Sequence, residues 1–139
     1  MNAHLPGIAL AALAATVAVL VVGGILFSAL PVLKNEFQKY PALFRPRDQM
    51  MKVMPLAVIS MYVAIFAATF IYAMGFHEGA GMIIGAHLGL MLGIFVVCVF
   101  VLHNHVNLNI GTRLTVYQAI AYFIEWFVAG IVISLVYHG

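Results

Sequence analysis

Four long apolar runs account for most of this 139-residue chain, at positions 7–30, 53–76, 80–102 and 114–137. Each run exceeds the about 20 residues that an α-helix needs to cross the hydrocarbon core of a membrane. The chain is 65% hydrophobic and only 7% charged, which leaves too little polar surface for a soluble protein. The sequence therefore predicts an all-α membrane protein, an antiparallel bundle of four transmembrane helices. Residues 1–139 form a single membrane domain, because the polar segment 31–52 is too short to build a core of its own.

All of the Lys and Arg residues fall in two of the three predicted loops: Lys34, Lys39, Arg45, Arg47, Lys52 and Arg113. Short loops rich in Lys and Arg stay on the cytoplasmic side of a membrane. We therefore expect loop 31–52 and the third loop inside, and both termini outside. No basic residue precedes the first run, which is also long for a signal peptide, so we expect it to remain as a span. Because orientation explains the basic residues, the net charge of +2 gives no indication of nucleic-acid binding.

The predicted loops differ in their expected structure. In the first loop, Leu33, Phe37 and Tyr40 recur at helical spacing, which predicts a short helix on the membrane surface. The second loop, residues 77–79, is so short that the second and third spans should form a tightly packed hairpin. Polar side chains alternate over residues 103–109, which favours an extended turn after the third span. His and Asn also suit a helix C-terminus, where they can bond its last carbonyl groups, and a cytoplasmic site for a headgroup, a metal or a partner is the alternative.

Four glycines on the third span are spaced four residues apart, as in a glycine zipper: Gly81, Gly85, Gly89 and Gly93. On a helix this spacing makes a stripe without side chains, against which another helix can pack closely. The partner is either another span of this chain or a second protein. The second possibility supports the first functional hypothesis, a non-enzymatic accessory or scaffold subunit in a homo-oligomer or a larger membrane complex. Membrane lipids are the other expected contacts.

A carboxyl group, that of Glu125, falls at the centre of the fourth span. Such a group costs about 2.5–3.5 kcal/mol to insert and faces the bundle interior or a water-filled cavity. Gln118 and Tyr122 share its helical face, while Tyr62 and Thr16 on other spans are expected at a similar depth. Glu125 is thus either a structural hydrogen-bonding residue or a site for a proton, an ion or a ligand. The second interpretation supports the alternative function, a small proton- or ion-coupled transporter or ligand-binding membrane protein.

His87 is the remaining ionisable residue deep within a predicted span. It lies on the face of the third span opposite the glycines and in the outer half of the membrane. Side chains lean towards the N-terminus of their helix, which moves His87 outwards and Glu125 inwards. A water-linked contact between the two is therefore favoured over a direct pair. His87 is either a structural residue bonded to a hydroxyl or carbonyl group, which is the commoner case, or the last member of the predicted intramembrane polar site.

Metal and cofactor sites have weaker support. The side chains expected on the outer face could hold zinc or copper: His4, His77, Glu78 and His138. They come from three separate segments, and polar residues at the ends of spans are a simpler interpretation. His87 is the only deep histidine and no Cys-x-x-Cys-His motif occurs, which argues against haem. We therefore predict no cofactor and no catalytic residues, with a membrane enzyme or redox subunit as a third hypothesis.

Three segments carry a resemblance to a known family: 24–31, 89–93 and 130–137. In these segments the chain resembles the small four-span bacterial membrane proteins of unknown function grouped as DUF1761. It departs from the Trp-Tyr pair of that family, with Leu26 and Phe27 in its place. The resemblance implies the four-helix fold and a bacterial inner (cytoplasmic) membrane, and it implies no activity.

Overall fold

The computed structural model describes residues 4–43, 45–75 and 81–138, and all regular structure in these ranges is helical. The α-helices are α1 (Leu5–Gly24), α2 (Pro31–Gln38), α3 (Arg47–Met74), α4 (Met82–Val96), α5 (His103–Asn107) and α6 (Thr112–Val136). A first π segment, Ile25–Ala29, continues α1, and a second, Val97–Leu102, joins α4 to α5. A 3-10 turn, Pro41–Leu43, lies between α2 and α3.

Four continuous helical stretches are long enough and apolar enough to cross a membrane: Leu5–Ala29, Arg47–Met74, Met82–Asn107 and Thr112–Val136. The all-helical class is thereby confirmed, and the four predicted spans correspond to four helices of sufficient length and apolarity. Two boundaries differ from the prediction. The second stretch begins at Arg47 rather than at residue 53, because the polar residues before the apolar run are also helical. The third extends to Asn107, so the extended turn predicted for residues 103–109 is wrong over its first five residues.

The polar side chains at the end of α5 explain this second difference. The side-chain amide of Asn107 donates a hydrogen bond of 2.9 Å to the carbonyl oxygen of His103. His105 Nδ1 lies 2.8 Å from the hydroxyl of Thr115 on α6. Polar residues here satisfy backbone and side-chain groups at the end of the helix, as expected for His and Asn at a helix C-terminus, so their alternation does not indicate an extended turn.

Helix α6 is central to the packing, with α4 and α1 against it, and α3 packs mainly on α1. Helices α3 and α4 make few contacts with each other, so the predicted close packing of the second and third spans is wrong. The residues that connect them, including 77–79, lie outside the described ranges. The reason for the arrangement is the glycine face of α4, which lets α4 approach α6 more closely than a helix with larger side chains could.

The contact between α4 and α6 brings backbone against backbone. Gly85, Gly89 and Gly93 are buried in it, and Gly130 of α6 faces Gly85 and Gly89. A methyl group added to Gly89 would lie 2.5 Å from the carbonyl oxygen of Phe127. Gly81 precedes α4 as its N-cap and is exposed, so it is outside this contact.

The main core lies between α1, α3 and the C-terminal half of α6. Small residues on α1 allow close approach there, and the rings of Tyr72 and Tyr137 meet edge to face at 6.1 Å. The buried members of this core are Ile8, Ala11, Ala12, Ala15, Val19, Ile65, Ala68, Tyr72, Ala129, Ile133 and Tyr137.

The predicted short helix in loop 31–52 is present as α2, and it packs on the first π segment and on α6. Its residue Glu36 is buried and forms ion pairs with Lys39 at 2.7 Å and with Arg113 at 3.3 Å. The backbone N–H of Gly111 donates a 2.7 Å hydrogen bond to the hydroxyl of Tyr40. These polar contacts tie the first loop to the start of α6.

Candidate functional site

Glu125 is buried on α6, with only 3% of its surface exposed. Its carboxyl group lies against Gly23, near the end of α1. A methyl group added to Gly23 would lie 2.5 Å from the nearer carboxyl oxygen. The absence of a side chain at Gly23 therefore makes the room that the carboxyl group occupies. Sequence reasoning missed Gly23, although two adjacent glycines, Gly23 and Gly24, in an Ala- and Val-rich span were an available signal.

Within residues 4–43, 45–75 and 81–138, the carboxyl group of Glu125 has no hydrogen bond and no ion pair. Other buried polar side chains on these spans bond to the backbone of their own helix. The hydroxyl of Thr16 donates to the carbonyl oxygen of Ala12 at 2.7 Å, and that of Thr69 donates to Ile65 at 2.8 Å. Thr16, expected near Glu125, is thus bonded elsewhere, and Gly23 occupies the place against the carboxyl group.

The ring of Tyr122, one helical turn before Glu125, is held between two other aromatic rings. Phe27 of the first π segment lies 5.2 Å from it, and Phe100 of the second lies 5.3 Å from it, edge to face. Both π segments therefore converge on the ring of Tyr122, one helical turn from Glu125. Single π-helical turns occur frequently at functional sites, because the wider turn redirects side chains. Sequence reasoning missed both segments, since no residue pattern distinguishes a π turn from the α-helix around it.

Two of the cavities beside α6 have walls that include residues within a helical turn of Glu125, although Glu125 itself lines neither. The first, of about 330 Å³, is lined by Leu26 of the first π segment and Ala121 of α6, and it extends to Leu33 and Tyr117. Leu26 is one turn beyond Gly23 and Ala121 one turn before Glu125, so this cavity begins next to the carboxyl contact.

The second cavity, of about 420 Å³, lies on the open side between α3 and α4. Tyr122 and Trp126 of α6, with Phe100, face Ser60 and Met61 of α3 across it. Both cavities are walled mainly by aliphatic and aromatic side chains. Such walls suit a ligand with a largely apolar surface.

The other residues of the predicted polar site do not gather around Glu125. Gln118 is half-buried on α6, and Tyr62 is half-buried on α3 with its ring 6.1 Å from that of Phe66. His87 is exposed and lines a separate cavity of about 280 Å³ with Tyr72 and Gly75. The structure thus brings Tyr122 and Glu125 together and leaves the other three apart.

The positions of His87 and Glu125 along the bundle account for their separation. On α4, Gly85 and Gly89 lie on either side of His87 in sequence and face Gly130 of α6. His87 is therefore near the level of residue 130, about five residues or roughly 8 Å along α6 from Glu125 at 1.5 Å per residue. The opposite lean of the two side chains, expected from their helix directions, adds to this offset.

The predicted outer metal ligands are only partly within the described residues. His4 is the N-cap of α1, where its Nδ1 accepts a 3.2 Å hydrogen bond from the backbone N–H of Gly7. His138 is exposed, and His77 and Glu78 lie outside the described residues. In the part of the chain that the structure describes, no three His, Cys, Asp or Glu side chains group as metal ligands.

No protein-family model, curated protein or solved structure matches the chain. Function is therefore inferred from the residues around Glu125. A carboxyl group in apolar surroundings can take up a proton or bind a cation, since either one removes its net charge. The aromatic rings beside it can in addition contact a cation through their faces.

Proposed function

We propose that this chain is a small multi-pass membrane carrier that exchanges a proton for a small, largely apolar cation at Glu125. The observation that carries the proposal is Glu125, a residue only 3% exposed whose carboxyl group has no hydrogen bond or ion pair among the described residues. We also propose that the protein lies in a bacterial inner membrane, with both termini outside and the basic loops inside. The distribution of Lys and Arg supports this orientation.

The coupling follows from the cost of burying charge. An ionised carboxylate without a partner is strongly unfavourable in an apolar interior, so it is stable there only with a bound proton or a bound cation. The two cannot neutralise the same carboxyl group at once. Binding of the cation therefore releases the proton, and by linkage a rise in proton concentration releases the cation.

The surroundings of Glu125 favour an organic cation over a hydrated metal ion. Tyr122, Trp126 and Phe100 present rings around the second cavity, and the first is lined chiefly by Leu, Ile and Val. A small inorganic cation needs several oxygen ligands, which these walls do not supply. An apolar cation needs only one negative group, with aromatic faces and aliphatic contacts around it.

The accessory-subunit hypothesis has less support than it had from the sequence. It rested on a glycine stripe that a second protein could use. Gly85, Gly89 and Gly93 already face α6 within this chain, so they are not available to another helix unless the bundle opens. Membrane lipids remain the expected neighbours of the exposed apolar side chains.

The test uses purified protein in detergent with tetraphenylphosphonium as the probe cation. Trp126, the single tryptophan, lines the second cavity, so its fluorescence reports binding directly. Proton release is followed with a pH indicator in weak buffer. We expect the wild type to bind the probe and release up to one proton per cation, and Glu125→Gln to lose both signals.

Two variants make the test specific. Glu125→Asp keeps the acid on a shorter side chain and should retain proton release with weaker binding. Asp48→Asn removes a carboxylate from the exposed first turn of α3 and should behave as the wild type. If the wild type binds no probe cation of this class, or if Glu125→Gln releases protons as the wild type does, the proposal is wrong.

A further inference from the structure

A cavity of about 690 Å³ lies between the end of the first span and the start of the second. Its walls combine two kinds of side chain. Phe27, Phe37, Pro41, Pro46 and Met50 are apolar, whereas Lys34, Gln38 and Arg45 are polar or basic. The volume is within the range of about 300–1,000 Å³ that is usual for sites of small ligands.

The basic residues at this cavity differ from the others nearby in their pairing. Lys39 and Arg113 both pair with Glu36. Among the described residues, Lys34 and Arg45 have no ion pair. Neither Glu36 nor Asp48, the acidic residues of this segment, lines the cavity. Its polar rim therefore carries two positive charges that no carboxylate of the cavity wall neutralises.

The apolar and basic parts of the cavity correspond in position to the acyl chains and the headgroup of a phospholipid. Phe27 belongs to the last part of the first hydrophobic stretch, and Lys34 follows it in α2, outside that stretch. The rings of Phe27 and Phe37 are 5.8 Å apart and make a continuous apolar wall. In a membrane, Phe27 and Met50, which belong to the two hydrophobic stretches, lie nearer the acyl chains, and Lys34 and Arg45 of the connecting segment lie nearer the headgroups.

We propose that this cavity binds one anionic phospholipid, with its phosphate held by Lys34 and Arg45 and an acyl chain against Phe27, Phe37 and Met50. Charge complementarity identifies the headgroup as anionic, because the rim carries two positive charges. The large apolar wall identifies the source as a lipid rather than a free phosphate, which would contact only the rim. The site is separate from Glu125, so the proposal does not depend on the proposed carrier function.

The test is native mass spectrometry of the protein released from detergent that contains equal amounts of phosphatidylglycerol and phosphatidylcholine with the same acyl chains. We expect the wild type to retain one phosphatidylglycerol in preference to phosphatidylcholine. Lys34→Gln/Arg45→Gln should bind phosphatidylglycerol about 30-fold more weakly, from about fivefold for each basic residue at a membrane surface. Because the protein is in detergent, a change of membrane orientation cannot produce this result.

Arg47→Gln/Lys52→Gln is the matched control, since it removes the same charge from residues that do not line the cavity. It should retain phosphatidylglycerol as the wild type does. The single variants Lys34→Gln and Arg45→Gln, each expected to weaken binding about fivefold, replace the double variant if it does not fold. Equal losses in the two double variants, or no preference of the wild type for phosphatidylglycerol, would overturn the proposal. Displacement of the lipid by an equal concentration of glycerol phosphate would overturn it as well.

Discussion

Gly89 and Gly23 both face α6, and a methyl group added to either one would come equally close to α6 but would meet a different kind of atom. A methyl group on Gly89 would lie 2.5 Å from the backbone carbonyl oxygen of Phe127, and one on Gly23 would lie 2.5 Å from the carboxyl oxygen of Glu125. The backbone of Phe127 cannot move without moving α6, whereas the end of the Glu125 side chain can rotate away. The first glycine therefore serves helix packing, and the second makes room for a polar group.

The side of α6 that faces α4 is closely packed over several residues, whereas the side that faces the first π segment is not. Towards α4, Gly85, Gly89 and Gly130 bring the backbones together. Towards the first π segment, α6 carries Glu125 and borders a cavity of about 330 Å³. Close backbone packing leaves no volume for a ligand, while a less regular helix leaves cavities.

The largest expected effect is on the packed side. Gly89→Ala places a methyl group against the backbone of Phe127, so α4 and α6 must separate. We expect the free energy of unfolding in detergent to fall by about 1–3 kcal/mol, the usual cost of overpacking. Gly24→Ala is the control, because a methyl group there meets nothing within 4 Å. Equal stability of the two variants would remove the distinction between the two sides.

Gly23→Ala tests the other side with the same added methyl group. The carboxyl group can move aside, so the free energy of unfolding should fall by no more than about 1 kcal/mol. The displaced carboxyl group should weaken tetraphenylphosphonium binding about tenfold, as measured by Trp126 fluorescence. Unchanged binding together with a large loss of stability would show that Gly23 is only a packing residue.

The smallest expected effect is on the free energy of unfolding when the buried residues Glu36 and Glu125 are each replaced by Gln. Glu36 pairs with Lys39 and Arg113, whose side chains are 56% and 68% exposed, so these pairs are weak. Glu36→Gln should lower the free energy of unfolding by about 0.5 kcal/mol, and less in high salt. Glu125→Gln should cause no loss, because it breaks no contact with a described residue. A clear loss of stability in Glu125→Gln would indicate a structural role for this carboxyl group.

Several features of the fold were predictable from local sequence. The four spans follow from the lengths of the apolar runs, and α2 follows from the spacing of Leu33, Phe37 and Tyr40. The depth of Glu125 in its span also follows from counting residues. Each of these depends on one stretch of chain and on the period of one helix.

The neighbours of these elements were not predictable in the same way. A short connection between the second and third spans suggested that they pack together, yet α4 packs on α6 and α3 on α1. Gly23 lies against Glu125, and the ring of Phe27 lies against that of Tyr122, although both partners come from a distant part of the chain. Such contacts depend on how each helix is rotated about its axis, which hydropathy does not specify.

The sequence by itself determined the number of spans, their order and the isolation of one carboxyl group among apolar residues. These are local properties, since apolar length and backbone hydrogen bonding decide where a helix can cross a membrane. Only the tertiary structure decided that the glycines of α4 are buried against α6, that Glu125 faces Gly23, and that the two π segments meet at Tyr122. The physical reason is that two helices of a bundle pack together where their whole faces fit, and that fit is a property of the pair of helices.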